Sequence, residues 1–446
     1  MSDGDSGTAG KNSADPERRS LLDAWKDNPE WRKLYAARTV SLFGDWINLF
    51  AILHLIGQGN HGSALAFAVV FVLKLLPMFL LGPAAGVVAD RFHRKKILIA
   101  CNLLACAVVL CFLFAEQVGA ISYIYLLAGL QLSVMAFFEP ARQALIPSLV
   151  QKRDLLAANA LSSATWSIVY ALGAAAGGLI LHFFGWQVAI LVDAFSYVIS
   201  AAFVMTVAWE PEARAHARTV ATPSGLLGLE DFALGLRYIL GNSQVRSVIF
   251  VKFGWGMMGA LTLFLTLLGM TPEYRMLGAP ELGFSYLFMC RALGTGFGPF
   301  LARWYAGDDQ ERLERAISLS YFAAPTLYAL VTLTHDPVVG GLVIFAAHLG
   351  GSTLWVISTV LLMQIVPDRY RGRTFAADLG LFMLTATASQ LGYAALIDHS
   401  RLGLRGAMAL AGGVCLIPAL IWLRGRARRQ GARDAVVRDT GFREPG

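Results

Sequence analysis

The chain has 446 residues, of which 56% are hydrophobic and only 15% charged, with a formal net charge of +7. Soluble domains carry about 25% charged residues, so a water-soluble enzyme or binding module is excluded. Apolar stretches of about 18 residues or more recur along the chain, the mark of membrane-spanning helices.

In chain order, the opening residues 1–33 are polar and have no apolar core of a signal peptide, so they read as a tail that is not cleaved. Twelve spans follow, beginning near Leu34, Ala64, Ile97, Ile121, Leu161, Gln187, Ser247, Leu282, Ala316, Val338, Phe375 and Leu404. Each is long enough to cross a hydrocarbon core of about 30 Å. The short alternating segments of a membrane β-barrel are absent. Positive charge collects in alternate connections: Arg32 and Lys33; Arg91, Arg94, Lys95 and Lys96; Lys152 and Arg153; Arg214, Arg218, Arg237 and Arg246; Arg303, Arg312 and Arg315; Arg369, Arg371 and Arg373; Arg424, Arg426, Arg428 and Arg429. The opposite connections hold only Arg275, Arg401 and Arg405. By the positive-inside rule both termini are expected in the cytoplasm, and the basic balance reports topology, with no nucleic acid as partner.

The longest interior connection, 208–246, begins as a linker and then places Phe232, Leu236 and Ile239 at helical spacing, a short amphipathic helix on the inner membrane face. Sequence echoes across it, "GPAAGVVADRFHRKK" after span two and "GPFLARWYAGDDQER" after span eight, suggest two halves of six helices. The expected organisation is therefore a tail (1–33), a first bundle (34–207), the linker (208–246), a second bundle (247–423) and a basic tail (424–446). Cys101, Cys106, Cys111, Cys290 and Cys415 all fall in apolar runs and read as small buried hydrophobes, with no disulfide framework and no metal site.

Between spans two and three, Gly86 to Lys95 read G-x-x-x-D-R-x-x-R-K. This resembles the loop motif of the major facilitator superfamily, G-x-x-x-D-[RK]-x-G-[RK]-[RK]; Gly86, Asp90, Arg91, Arg94 and Lys95 match, and His93 replaces the second glycine. The resemblance implies an all-α membrane fold of twelve helices in two six-helix pseudo-repeat bundles. It also implies that the loop latches the halves on the cytoplasmic side, with Asp90 facing the start of span eleven near Arg373 and Thr374. "VSLFGDWINLFAI", "FFEPARQALIPSLV" and "LLMQIVPDRYRGR" resemble the proton-antiporter subgroup that holds macrolide-efflux and enterobactin-exporter-like proteins. "GAAAGG" (Gly173, Gly177 and Gly178) resembles that subgroup's G-P-x-x-G-G motif with Ala174 for proline, although small residues at this spacing also serve simple helix packing.

Ionisable residues inside spans are costly and therefore candidates for function. Asp45 lies about eleven residues into span one, roughly 16 Å deep, with Asn48 one turn on. Lys74 lies at comparable depth in span two. Burial opposes ionisation of the carboxylate and a nearby Lys74 favours it. Asp45 is thus a proton-coupling group, half of a fixed Asp45–Lys74 pair, or a carboxylate that is simply hydrated. Glu139, Asp193 and His348 are further proton-coupling candidates. Glu139 and Arg142 have the spacing of a local ion pair, and Arg291 and Gln364 join Asn48, Lys74 and Arg142 as cavity or pairing candidates. The expectation is a monomeric secondary transporter, multi-pass in a bacterial inner membrane. It would export amphipathic small molecules, drug-like compounds or a siderophore, in exchange for protons, with no cofactor and no catalytic residues. Uptake or lysolipid flipping by the same fold is the alternative. An intramembrane enzyme would need H-E-x-x-H or G-x-S-x-G, and neither occurs.

Overall fold

The computed structural model describes residues 21–59, 63–209, 229–307 and 309–440, and nearly all of them are helical. Span one is Pro29–Gly59, span two Ala64–Arg91, span three Arg94–Cys111 and span four Ile121–Leu149. Spans five and six form one continuous assignment, Leu155–Thr206, reversed at Gly185. There φ is +84°, a left-handed conformation that side chains disfavour, so glycine makes a turn of one residue. Span seven comes in two pieces, Ser243–Gly256 and Leu261–Met270. Spans eight to twelve are Pro280–Ala306, Gln310–Val331, Pro337–Ile365, Asp368–His399 and Gly403–Thr440.

Several boundaries differ from those read in the sequence, for local reasons. Span nine starts at Gln310, six residues before Ala316, because Asp309 caps it by accepting a hydrogen bond from the Arg312 backbone at 2.6 Å. Asp336 caps span ten through Val338 and Val339 in the same way. The stretch read as an N-terminal tail contains the helix Leu21–Asp27. It is anchored by Asn28, which donates to Asp154 at 2.9 Å and accepts from the Gln151 backbone at 2.9 Å. Span twelve continues as helix through the stretch read as a basic tail, to Thr440. Residues 1–20, 210–228 and 441–446, with most of the expected linker, lie outside the described residues, as do the side chains of Phe232 and Arg369. The short helix Leu229–Gly241 packs on the start of span eleven. Gly235 meets the Arg373 carbonyl with no room for a methyl group, and Tyr238 stacks on Tyr370 at 4.4 Å.

Spans one to six and seven to twelve make two bundles that touch unequally at their two ends. We call the end with the basic loops the basic face and the other the far face. At the far face the halves meet closely. A Cβ on Gly178 of span five would overlap Ser285 of span eight, and Phe50 of span one stacks on Phe284 at 5.4 Å. His182 pairs with Glu281 at 3.0 Å, and Asp398 accepts hydrogen bonds from the first backbone nitrogens of span two. Small residues let helices approach where lipid offers no hydrophobic drive to association. At the basic face the motif loops stay apart: Asp90 is 78% exposed, and neither Gly86 nor Gly372 has a neighbour that a Cβ would touch.

Candidate functional site

A cavity of about 470 Å³ lies within the first bundle, between spans one, two, four and five. Its deep end is marked by Ile52 and Ala128, and Tyr35, Arg142 and Ser162 line it near the basic face. Helical repeat decides which residues of span one face it. Arg38, Asp45 and Ile52 are seven apart, two turns each, and so share a stripe with Asn48.

Asp45 stands at the middle of span one and is held from both sides. One oxygen lies 3.2 Å from the Arg38 guanidinium; the other accepts a hydrogen bond from the Tyr197 hydroxyl of span six. Arg38 also lies 3.7 Å from Glu139 of span four, and Glu139 is bound in turn by Arg142 and by Gln143 at 3.0 Å. Behind Asp45 the chain of polar contacts continues inward. Gln131 donates to the Tyr197 hydroxyl at 3.1 Å and to Asp193 at 3.4 Å, and it accepts from Asn48 at 3.1 Å. Asp193 also receives a bond from Ser196 at 3.4 Å. Span six can come this close because Gly44, beside Asp45, leaves room for Asp193 and Ser196. The network thus ties spans one, four and six to a single cavity wall. A carboxylate there can exchange its partner or its proton with whatever enters the cavity.

The other wall is aromatic. Trp46 and Tyr170 stack at 3.9 Å with planes 15° apart, and Trp166 lies 5.4 Å from Tyr170. Lys74 lies over the Trp46 ring, 5.4 Å from its centre, within the range of a cation–π contact. This corrects the reading of Asp45 as half of an Asp45–Lys74 pair. In this structure the partner of Asp45 is Arg38 on its own helix, and Lys74 faces an indole.

The remaining candidates separate from the cavity. Arg291 of span eight donates to His348 of span ten at 2.9 Å, and His348 contacts the Tyr328 hydroxyl at 2.6 Å. Arginine only donates, so Nε2 of His348 accepts and its proton sits on Nδ1, directed at Tyr328. That orientation makes His348 a support for Arg291 in this state and leaves it no free lone pair to relay a proton. Gln364 is exposed at the basic end of span ten and is not part of the cavity, which corrects its placement among the cavity candidates. Gly173 and Gly177 pack against Trp46 and Phe50, and Gly178 against Ser285. In the loop motif, Asp90 pairs with Arg94 at 3.8 Å and does not reach span eleven in this state. Arg94 and Lys95 fasten the loop to their own half, bonding the Ala144 carbonyl and the Met205 and Val207 carbonyls. Cys101, Cys290 and Cys415 are buried as read in the sequence, and Cys106 and Cys111 are only partly buried.

Four polar positions within the spans escaped the sequence reading. Arg38 could have been found, since it sits two turns before Asp45 on the same stripe. Gln131, Tyr197 and Asp378, the last paired with Lys252 at 2.6 Å, come from other spans and have no local signal.

A twelve-span helical bundle with a charged, aromatic-walled cavity closed at one face is the architecture of an alternating-access membrane transporter. Residues 34–389 match the Major Facilitator Superfamily, and the chain belongs to that family of transporters, which are not enzymes. It is 25% identical over 419 residues to the uncharacterised MFS-type transporter YfiS of Bacillus subtilis, covering 91% of this chain and 95% of that one. It is 25% identical over 364 residues to the putative bacilysin exporter BacE of Bacillus subtilis, covering 79% and 86%. A 179-residue stretch is 28% identical to macrolide efflux protein A of Streptococcus pyogenes, covering 39% and 43%. Among solved structures, the nucleoside transporter NupG superposes with a TM-score of 0.67 at 14% identity, over 88% of this chain and 97% of that one.

Proposed function

We propose that this transporter exports amphipathic small molecules in exchange for protons, and that Asp45 carries the coupling proton. The observation behind this reading is the position of Asp45: mid-span, on the cavity wall, between the exchangeable partners Arg38 and Tyr197. Two of the relatives above are named as exporters, which favours efflux as the direction. In the cycle, protonation of Asp45 releases Arg38 and weakens the site's hold on a polar substrate group; deprotonation restores both. Glu139 and Asp193 are the next carboxylates on the same network and the alternates for this role. Asp45→Asn fixes the neutral form. It is expected to abolish pH-driven export in proteoliposomes and to spare downhill exchange and folding. Normal pH-driven export by this variant would overturn the assignment.

The arginine-rich basic face is cytoplasmic and both termini lie there, in the bacterial inner membrane. The chain then works as a monomer of two bundles joined by the 208–246 connection. On this reading the structure is open inward, and Asp90 engages the start of span eleven only when the cytoplasmic side closes. Asp90→Asn is therefore expected to slow transport several-fold while leaving thermal stability unchanged, because an exposed side chain contributes little in the present state. Wild-type turnover by Asp90→Asn would remove the latch from the scheme.

A further inference from the structure

The charges of the cavity do not balance. Arg38, Lys74 and Arg142 line it with Asp45 and Glu139, three cations against two carboxylates. Both carboxylates are committed to guanidinium groups, Asp45 to Arg38 and Glu139 to Arg142 with Arg38 nearby. Asp193 lies behind the wall, bound by Gln131 and Ser196. Among the described residues no carboxylate comes within salt-bridge reach of Lys74, whose contact is the face of Trp46. A second such cation sits at the same aromatic pair. Arg291, from the other bundle, lies 6.0 Å from the ring centre of Tyr170, which stacks on Trp46. Its Nη1 is buried and makes no hydrogen bond, while its Nε is spent on an uncharged imidazole. Asp45 and Asp193 act on Lys74 only through space, and a mid-membrane cation with no carboxylate in contact is expensive; proteins keep such groups where a ligand supplies the missing contact.

We propose that the cavity takes a substrate bearing a carboxylate beside a planar apolar body, with Lys74 as the carboxylate's partner and Arg291 adding positive potential from the opposite half. The planar body lies against Trp46 and the half-exposed Trp166, and a cavity of about 470 Å³ accommodates a molecule of drug size. This deepens the export reading by naming the substrate class, and it rests on that reading for the identity of the site.

Binding decides it without a gradient. Purified protein in lipid nanodiscs is titrated with three matched probes: naphthoate, naphthamide and naphthylmethylammonium, read by tryptophan fluorescence. The wild type should bind naphthoate about tenfold tighter than the amide, the usual worth of a charge-assisted hydrogen bond in a semi-enclosed site. Lys74→Gln should equalise acid and amide, and Lys74→Arg should keep most of the preference. If Lys74→Gln does not fold, the wild-type ratio alone decides. Equal affinities, preference for the ammonium or no saturable binding in the wild type would overturn the proposal. Because no proton gradient is applied, a failed Asp45→Asn exchange test would sink the antiport reading and leave this one standing; equal probe affinities would do the reverse.

Discussion

The carboxylate of Asp398, at the end of span eleven, lies 2.8 Å from the backbone nitrogen of Ala64 at the start of span two. It also accepts from the Leu65 nitrogen at 2.9 Å and from the Ser63 hydroxyl at 2.8 Å. One half of the molecule thereby caps a helix of the other, satisfying nitrogens that no turn of span two can reach. The clasp exists only while the far face is closed. Loss of such a cap costs about 1 kcal/mol, so Asp398→Ala should shift the populations of the closed and open far face by about fivefold. Distances between spin labels on the far-face ends of spans two and eleven check this; an unchanged distribution would remove the clasp.

Gly178 supplies a second, steric test of the same closure. A methyl group there overlaps Ser285 across the bundle interface, and overpacking of this kind costs about 1–3 kcal/mol. Gly178→Ala should therefore populate the state with an open far face about tenfold more and slow transport, with little loss of expression. Cysteine-reactive labelling from the far side, at a residue placed beside Phe284, should rise in step. If labelling stays at the wild-type level, the interface is looser than its packing implies.

Lys252 and Asp378 form a buried pair in the second bundle, 6% and 2% exposed, with Lys252 also over Trp355 at 4.9 Å. Removing one partner of such a pair leaves a naked charge and costs about 3–5 kcal/mol, whereas replacing both by apolar residues is close to neutral. Asp378→Leu should depress the melting temperature in detergent strongly, and adding Lys252→Met should restore most of it. Equal losses for single and double variants would mean that packing, and not charge, dominates there.

A third cluster lies in the far-face loops, where Glu273 is bound by His335 at 3.1 Å and by Arg405. The hydrogen bond from His335, helped by Arg405, holds the Glu273 carboxyl below its ordinary value of 4.5. A depressed carboxyl stabilises the fold above that ordinary value, and the contribution disappears as pH falls through the depressed one. The melting temperature of the wild type should thus exceed that of Glu273→Gln slightly at neutral pH, and the gap should close only below pH 4.5. A gap that persists in acid would have another origin.

Much of this was legible in the sequence because bilayers constrain a chain so tightly. Every span had to be an apolar helix of minimum length, and the charges that interrupt one are few enough to single out: Asp45, Lys74, Glu139 and Arg142 all line the cavity. Their pairing was less legible. Depth along a helix follows from counting residues, but partners on neighbouring helices depend on rotation about each axis. Lys74 was therefore matched to Asp45 by depth, and the structure turns it toward Trp46. Arg38 is the instructive miss, because the two-turn spacing that joins it to Asp45 is written in the chain. Asp90 differs in kind: the partner on span eleven was implied by the resemblance alone, and here Asp90 pairs with Arg94 of its own loop.

The close packing of Gly178 on Ser285 and of Phe50 on Phe284 also has an electrical consequence. A water-filled cavity would bring the potential of one compartment to mid-membrane, and most of the transmembrane voltage would then fall across this thin packed plug. Each unit charge carried past it works against about 2.3 kcal/mol per 100 mV. Exchange of one proton for a neutral molecule would then move net charge through the plug, and exchange for a carboxylate would move more. The substrate's ionisation state would accordingly set how strongly the cell's voltage, as distinct from its pH gradient, drives the cycle.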